Sequence, residues 1–241
     1  MDREWPTDPE HAIALQERLR VKVRPTVDAE AARHPTAVAG LDAAYSRDGR
    51  WAVGAVAVLA PATMEVLDRA VAWGEVGFPY VPGLLAFREL PALLAALRRL
   101  ATQPDLLLVD GNGLVHPRRF GLACHLGVLI GLPTVGVAKS GSLRGGPPPA
   151  PPRGSATALK DGPDEIGRAL RTQDAVRPVF VSVGHRIDLD TASRHVLRVA
   201  AHHRVPEPLR QADALARATL RGPKNATRLA VARQSRTMPL S

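Results

Sequence analysis

The sequence predicts an α/β fold: a mixed sheet in which an antiparallel meander is followed by parallel strands, flanked by helices. Three observations predict it. Between residues 37 and 73, apolar runs alternate with tight turn signals, the pattern of hairpin-joined strands. From 105 to 138, an apolar strand, a helical stretch and a second apolar strand follow one another, the order of a parallel crossover unit. Hydrophobic residues make up 45% of the 241-residue chain, enough for a sizeable core and too many for global disorder. One domain over 1–221 and a basic tail over 222–241 are the expected organisation.

The elements are justified in order. His11 to Val23 places Ile13, Leu15, Leu19 and Val23 between charges, an amphipathic helix. Ala37–Tyr45, Trp51–Leu59 and Met64–Trp73 are apolar or alternating, with a turn at Asp48-Gly49 and Pro61 between the last two. They read as three strands. Gly74 to Gly83 holds two prolines and three glycines and reads as a loop. Leu84 to Ala101 has helical spacing, and Pro91 inside it predicts a kink or a fresh start. Asp105–Val109 is a strand closed by Asp110-Gly111-Asn112-Gly113. A helix from about Arg118 to Ile130 and a strand at Thr134–Ala138 follow. Gly145 to Gly154, with five prolines and three glycines, is an extended surface segment. Val179–Val183 reads as a strand, and Leu189–His203 and Glu207–Leu220 as helices. The tail, basic and without acids, is expected to be mobile.

Composition narrows the function classes. Thirty-two Lys+Arg against 23 Asp+Glu give a formal charge of +9, which favours polyanion partners such as nucleic acid. An aromatic content of 4% argues against an extended stacking platform for single strands. The lone Cys124 excludes a disulfide framework and a multi-cysteine zinc site. No apolar run reaches the roughly 18–20 residues of a bilayer span. The opening MDREWPTDPE does not read as a signal peptide. A cytoplasmic, monomeric protein without a membrane partner is expected.

Chemistry concentrates at a few positions. Asp42 lies inside an apolar strand, Asp110 ends another, and Glu89 sits early in a helix leaving a Gly/Pro-rich loop. A carboxylate in a buried strand is costly unless it is paired or binds a cation. Two readings follow: an all-oxygen cluster suited to Mg²⁺ or Mn²⁺, or separate acids that pair with arginine or cap a turn. His116, in the run Asp110 to Arg119, is either a phosphate or water contact or a turn residue. Arg118 and Arg119 either meet phosphates or cover a helix end. Lys139 is either a phosphate-facing charge or an exposed strand-end lysine. Phe78-Pro79-Tyr80-Val81-Pro82-Gly83 is a stiff loop with an aromatic tip. It is either a wedge between bases or a packed surface loop.

The motifs taken together resemble a known family. Ala39-Gly40-Leu41-Asp42 with Tyr45, Pro79 through Glu89, Val109-Asp110-Gly111, His116 through Ala123, His125 through Val128 and Gly136 through Ser140 are similar, in order and spacing, to the endonuclease V family. These are deoxyinosine-directed repair nucleases of the ribonuclease-H-like superfamily. The resemblance runs from about residue 36 to 218, with weaker matches through Arg153, Leu170, Val181 to His185 and Pro206 to Asp213. Asn112 departs from it, standing where many relatives carry Gln.

The resemblance implies a ribonuclease-H-like sheet and a catalytic set of Asp42, Glu89, Asp110, His116 and Lys139. Asp42, Asp110, Glu89 and Asp213 would hold Mg²⁺, with Mn²⁺ as substitute. Pro79, Tyr80, Val81 and Pro82 would form the wedge, and Gly83, Leu85, Gly111 and Gly121 would surround the extruded hypoxanthine. It further implies cleavage of DNA at the second phosphodiester bond 3′ to deoxyinosine, leaving 3′-hydroxyl and 5′-phosphate ends. Two rivals stand beside this: an endoribonuclease acting on inosine in RNA, and a catalytically silent nucleic-acid-binding protein.

Overall fold

The turn at Asp48-Gly49 folds the first two strands onto each other. β1 (Val38–Tyr45) pairs antiparallel with β2 (Trp51–Leu59), and β2 with β3 (Val66–Glu75). The Asp48 carboxylate accepts from Ser46 Oγ at 2.5 Å and from the Arg50 N–H at 3.2 Å, an Asx-type turn. The structure, a computed structural model, describes residues 5–27, 30–141, 143 and 146–222. All but the first residue of the expected basic tail therefore lies outside the described residues.

On the other side of β1 the sheet becomes parallel. β4 (Leu106–Val109) pairs with β1, and β5 (Thr134–Ala138) with β4. Beyond β5 come strands that the sequence reading missed or placed without a partner. The hairpin β6 (Ala156–Asp161) and β7 (Asp164–Leu170) was not anticipated. β8 (Val179–His185) runs antiparallel to both β5 and β7. The eight-stranded order is β3-β2-β1-β4-β5-β8-β7-β6. The hairpin escapes a hydrophobic pattern because it forms the sheet edge. Lys160, Asp161, Asp164 and Glu165 keep it polar, as edge strands require.

Helices cover both faces. α1 (Pro9–Arg20) is capped by Asp8, whose carboxylate accepts from the His11 N–H at 3.0 Å. Its buried residues are Ala12 and Gln16, while Ile13 is exposed; the expected apolar face is thus rotated. A short α2 (Glu30–Arg33) follows. α3 (Ala86–Leu97) and α4 (Leu122–Ile130) pack on one face with Leu41, Val56, Leu90, Leu93, Val109 and Leu126. α5 (Leu189–Val199) and α6 (Glu207–Arg221) cover the other, with Val38, Leu106, Leu108, Val135, Val196 and Leu209. Each fully buried Leu or Val stabilises by about 1.5–3 kcal/mol.

Three helix expectations are corrected. α3 runs through Pro91 without a fresh start. Proline has no N–H for the carbonyl four residues back, and that carbonyl, Phe87 O, instead accepts from the Trp5 indole Nε1 at 3.0 Å. α4 starts at Leu122, not Arg118, because Arg119 adopts φ 52° and Gly121 is the extended N-cap. α5 ends at Val199, short of His203.

Gly40 decides how closely α6 approaches. A Cβ there would lie 2.1 Å from the Pro208 carbonyl carbon and 2.4 Å from Leu209 N, closer than any relaxed contact. Gly40→Ala is expected to cost about 3 kcal/mol, because backbone rather than a flexible side chain must move. Thermal melting reads this; an unchanged Tm would mean that α6 shifts freely.

Beneath α3, His125 is fully buried between the rings of Trp5, Phe87 and Phe120, at centroid distances of 5.6, 5.2 and 5.1 Å. Neither ring nitrogen finds a hydrogen-bond partner among the described residues. Burial holds its imidazole down at about 3. The unfolded chain protonates it from about 6.5, so between these values the unfolded state binds the extra proton and acid favours unfolding. His125 alone should make the fold about 2 kcal/mol less stable at pH 5 than at pH 7. His125→Phe, measured against wild type by denaturant titration at both pH values, should remove that difference. Equal slopes for the two proteins would refute it.

Candidate active site

Strand alternation places the key side chains. Val38 and Leu106 face the α5/α6 side, so Asp42 and Asp110, each an even number of residues on, face it too. The backbones are adjacent, since Asp110 N donates to Leu41 O at 3.0 Å. Val135 and Val137 face the same side, and Lys139 continues their parity just past β5. Three neighbouring strands, β1, β4 and β5, thereby deliver Asp42, Asp110 and Lys139 to one end of one face. α6, held close by Gly40, brings Asp213.

These groups meet. Lys139 Nζ lies 2.5 Å from Asp110 Oδ2, 3.7 Å from Asp42 Oδ2 and 3.7 Å from Asp213 Oδ1. Arg217, one turn along α6, holds Asp213 at 2.9 Å. Glu89, 7% exposed, enters from α3, and its Oε1 accepts the Tyr45 hydroxyl at 3.1 Å.

Burial, then the charge of Asp110, pushes the Asp42 carboxyl up to about 8 against the pull of Lys139. Burial likewise raises Glu89 to about 8 despite the Tyr45 hydrogen bond, and Asp42 and Asp110 add to the rise. Asp213 goes the other way. Its burial is outweighed by hydrogen bonds from Arg217 and Asp42 and by the Lys139 charge, which hold it below the ordinary range. The buried Asp42 and the more exposed Asp213 are thus pushed in opposite directions. Burial, and then the Glu89 charge, raise the Tyr45 hydroxyl well above its usual value, so it stays a donor.

Among the described residues, no three His, Cys, Asp or Glu side chains already surround a cation-sized point; the aspartates converge on the Lys139 ammonium instead. The donor chemistry nonetheless fits a hard divalent cation. It is oxygen only and built of carboxyls, and burial raises two of them, a cost that a bound cation would offset.

The expected wedge and pocket residues lie on the segments leading into α3 and α4. Pro79 to Pro82 lead into α3; Tyr80 is 72% exposed and Leu85 is also exposed, while Phe78 and Leu84 anchor the loop beside Phe87 and Ala12. Arg88 Nη1 donates to Phe78 O at 2.7 Å, and its guanidinium lies 5.1 Å over the Tyr45 ring. Gly111 is half-buried near Leu122, and Gly121 is buried with its N–H donating to Gly113 O at 3.0 Å.

His116 joins the loop rather than the carboxylates. Its Nδ1 accepts from Arg118 N at 3.2 Å, so Nε2 carries the proton and donates to Gly83 O at 3.0 Å. Burial lowers its pKa to about 4, leaving it neutral. Sequence reasoning missed Gln16, Arg88, Arg217 and the hydroxyl role of Tyr45. An amide in the midst of a helix's apolar spacing was the available signal for Gln16.

Comparisons with known proteins identify relatives of the chain and of its fold. The family model for endonuclease V matches residues 17–214. The endonuclease V of Streptomyces avermitilis is 52% identical over 218 residues, covering 90% of this chain and 94% of that one. A crystal structure of the Streptomyces avermitilis endonuclease V superposes with a TM-score of 0.81 at 50% identity, covering 91% of this chain and 96% of that chain. A Ciona intestinalis endonuclease V, in complex with a 24mer DNA containing an inosine followed by a ribo-adenosine, superposes with a TM-score of 0.74 at 29% identity. The match covers 88% of this chain and 97% of that chain. Among the described residues, no helix is long and apolar enough to cross a membrane.

Proposed function

The chain belongs to the endonuclease V family, and on that premise we propose that it is an Mg²⁺-dependent DNA repair nuclease directed to deoxyinosine. It hydrolyses the second phosphodiester bond 3′ to the lesion and leaves 3′-hydroxyl and 5′-phosphate ends. The observation that carries this reading is the convergence of Asp42, Asp110 and Asp213 on Lys139, with the Glu89 carboxyl raised in part by the charges of Asp42 and Asp110, together with an exposed aromatic loop tip. The inosine-containing DNA bound by the Ciona relative supports the substrate class.

Asp42, Asp110, Asp213 and Glu89 would hold the cation. A divalent cation held by them would supply Lewis-acid chemistry, able to polarise the phosphate and acidify an attacking water. Lys139 supplies a positive charge that exchanges its carboxylate contacts for the scissile phosphate. Tyr45 fixes the direction of Glu89 through its hydroxyl. The Tyr80 ring, on a tip stiffened by Pro79 and Pro82, fills the space of the extruded nucleotide. Extrusion of a weakly paired base costs less than that of a normal one, which contributes selectivity. His116, neutral and spent on backbone, holds the loop.

A second reading is favoured by one detail: the relative's strand carries a ribose after its inosine, so inosine-containing RNA is a candidate substrate. Matched inosine-DNA and inosine-RNA strands, incubated with and without Mg²⁺ and mapped for the cut position, test both. Cation-dependent nicking of the DNA strand at the second bond supports the first reading. Cleavage of RNA alone replaces it with the second, and no cleavage with Mg²⁺ or Mn²⁺ sinks both.

A further inference from the structure

We propose that Gln16, on the first helix, is a positioning residue for lesion recognition, acting through the Gly83 carbonyl together with Arg118 and His116. The inference deepens the reading of the loop as the inosine site and rests on it for its catalytic consequence.

Gln16 is 1% exposed, an amide where helix packing would otherwise take an apolar side chain. Burying an amide is costly unless its hydrogen bonds are made, and here they are. Its Nε2 donates to Gly83 O at 3.1 Å and to Phe120 O at 3.3 Å, and its Oε1 accepts from Arg118 Nε at 2.6 Å. The network fixes the amide orientation, since the flipped form would turn oxygen toward two carbonyls. Arg118 in turn donates through Nη2 to Gly83 O at 2.8 Å, and His116 Nε2 donates to the same atom at 3.0 Å.

One carbonyl oxygen thus takes three donors from three side chains. That oxygen belongs to a glycine at φ 81°, where an added Cβ would lie 2.9 Å from Arg118 Nη2. The conformation is one that L side chains rarely adopt, and the clamp selects it. The peptide after Gly83 is fixed in direction, and with it the angle at which Pro79 to Pro82 leave the surface. α1 otherwise shares no strand with the site, yet through Gln16 it sets the geometry of the loop that meets the base. Arg118 is thereby assigned to the loop backbone rather than to a turn or a phosphate.

The experiment uses full-length Gln16→Met and Gln16→Glu. The first deletes the amide at similar length; the second keeps the acceptor for Arg118 and removes both donors. Amide hydrogen exchange over residues 78–85 is measured without nucleic acid, followed by KM and kcat on inosine and matched adenine strands. Expected are faster exchange over 78–85 than in wild type and a KM for the inosine strand raised about tenfold. kcat should fall by less than about threefold, so that inosine selectivity drops. Wild-type exchange and KM in folded variants would overturn the proposal, as would a lost kcat with KM unchanged. If neither variant folds, Arg118→Met must loosen the same segment, and a segment as protected as in wild type overturns it. A wild-type protein without preference for inosine would sink the functional reading. The exchange measurement alone then decides whether Gln16 holds the loop.

Discussion

Asp110→Ala is expected to reduce nicking at inosine by about a thousandfold or more, with binding of the inosine strand retained. Asp110 is the carboxylate nearest Lys139, at 2.5 Å, and its backbone is locked beside β1 by the bond from its N–H to Leu41 O. Alanine leaves that bond intact, so the strand end keeps its place while the cluster loses one anionic oxygen pair. Removing a preorganised charge at a reacting centre costs about 10²–10³ in rate, and here the same change also weakens the proposed cation site. Binding should persist because the Tyr80 loop and its Gln16–Arg118–His116 clamp do not touch Asp110. Asp42→Ala and Glu89→Ala should behave alike, the latter also leaving the Tyr45 hydroxyl without its acceptor. Single-turnover nicking in Mg²⁺, paired with fluorescence anisotropy, reads both quantities. Near-wild-type cleavage by any of the three would remove that acid from the mechanism.

Lys139→Met should cost about a hundredfold in the same assay, and its second signature is thermal. Methionine removes the charge on which three aspartates converge. Without it, Asp42 and Asp110 repel each other unrelieved, and the Asp42 carboxyl moves further above about 8. A group whose pKa is raised by folding contributes stability below its unfolded value and loses it as pH rises through the folded one. The variant should therefore melt lower than wild type at pH 8 than at pH 5. Added Mg²⁺ should raise its Tm more than that of wild type, since ligand that binds only the folded state stabilises it. An equal Mg²⁺ response in both proteins would mean that lysine and cation do not share this site.

Much of this arrangement was legible in the sequence, for reasons that differ by element. The meander was readable because β1 to β3 are short apolar runs with turns at Asp48-Gly49 and after Pro61. Asp42 stood out because it interrupts such a run. Strand parity then carries Asp42, Asp110 and Lys139 to one face, although nothing local says which. That choice is made by α6, through the glycine at position 40. Glu89 stood out as an acid early in a helix leaving a Gly/Pro-rich loop, and Asp213 was expected from family resemblance; their spacing along the chain says nothing of where α3 and α6 dock. The edge hairpin β6–β7 was invisible because its charges, which keep the edge from pairing with another chain, erase the alternation that marks a strand. The α1 face was misjudged because the most buried polar residue on it, Gln16, is satisfied by a loop some 67 positions away in the chain. His116 was a fair candidate for a phosphate contact by residue type. Its spacing does not show that both its nitrogens meet loop backbone.

The indole of Trp5 closes a gap that Pro91 opens in the backbone of the Glu89 helix. Shortened forms of the protein made by deleting the residues ahead of Asp8 would leave the Phe87 carbonyl facing an apolar cage with no donor. Trp5 is thus a latch on the helix that carries Glu89.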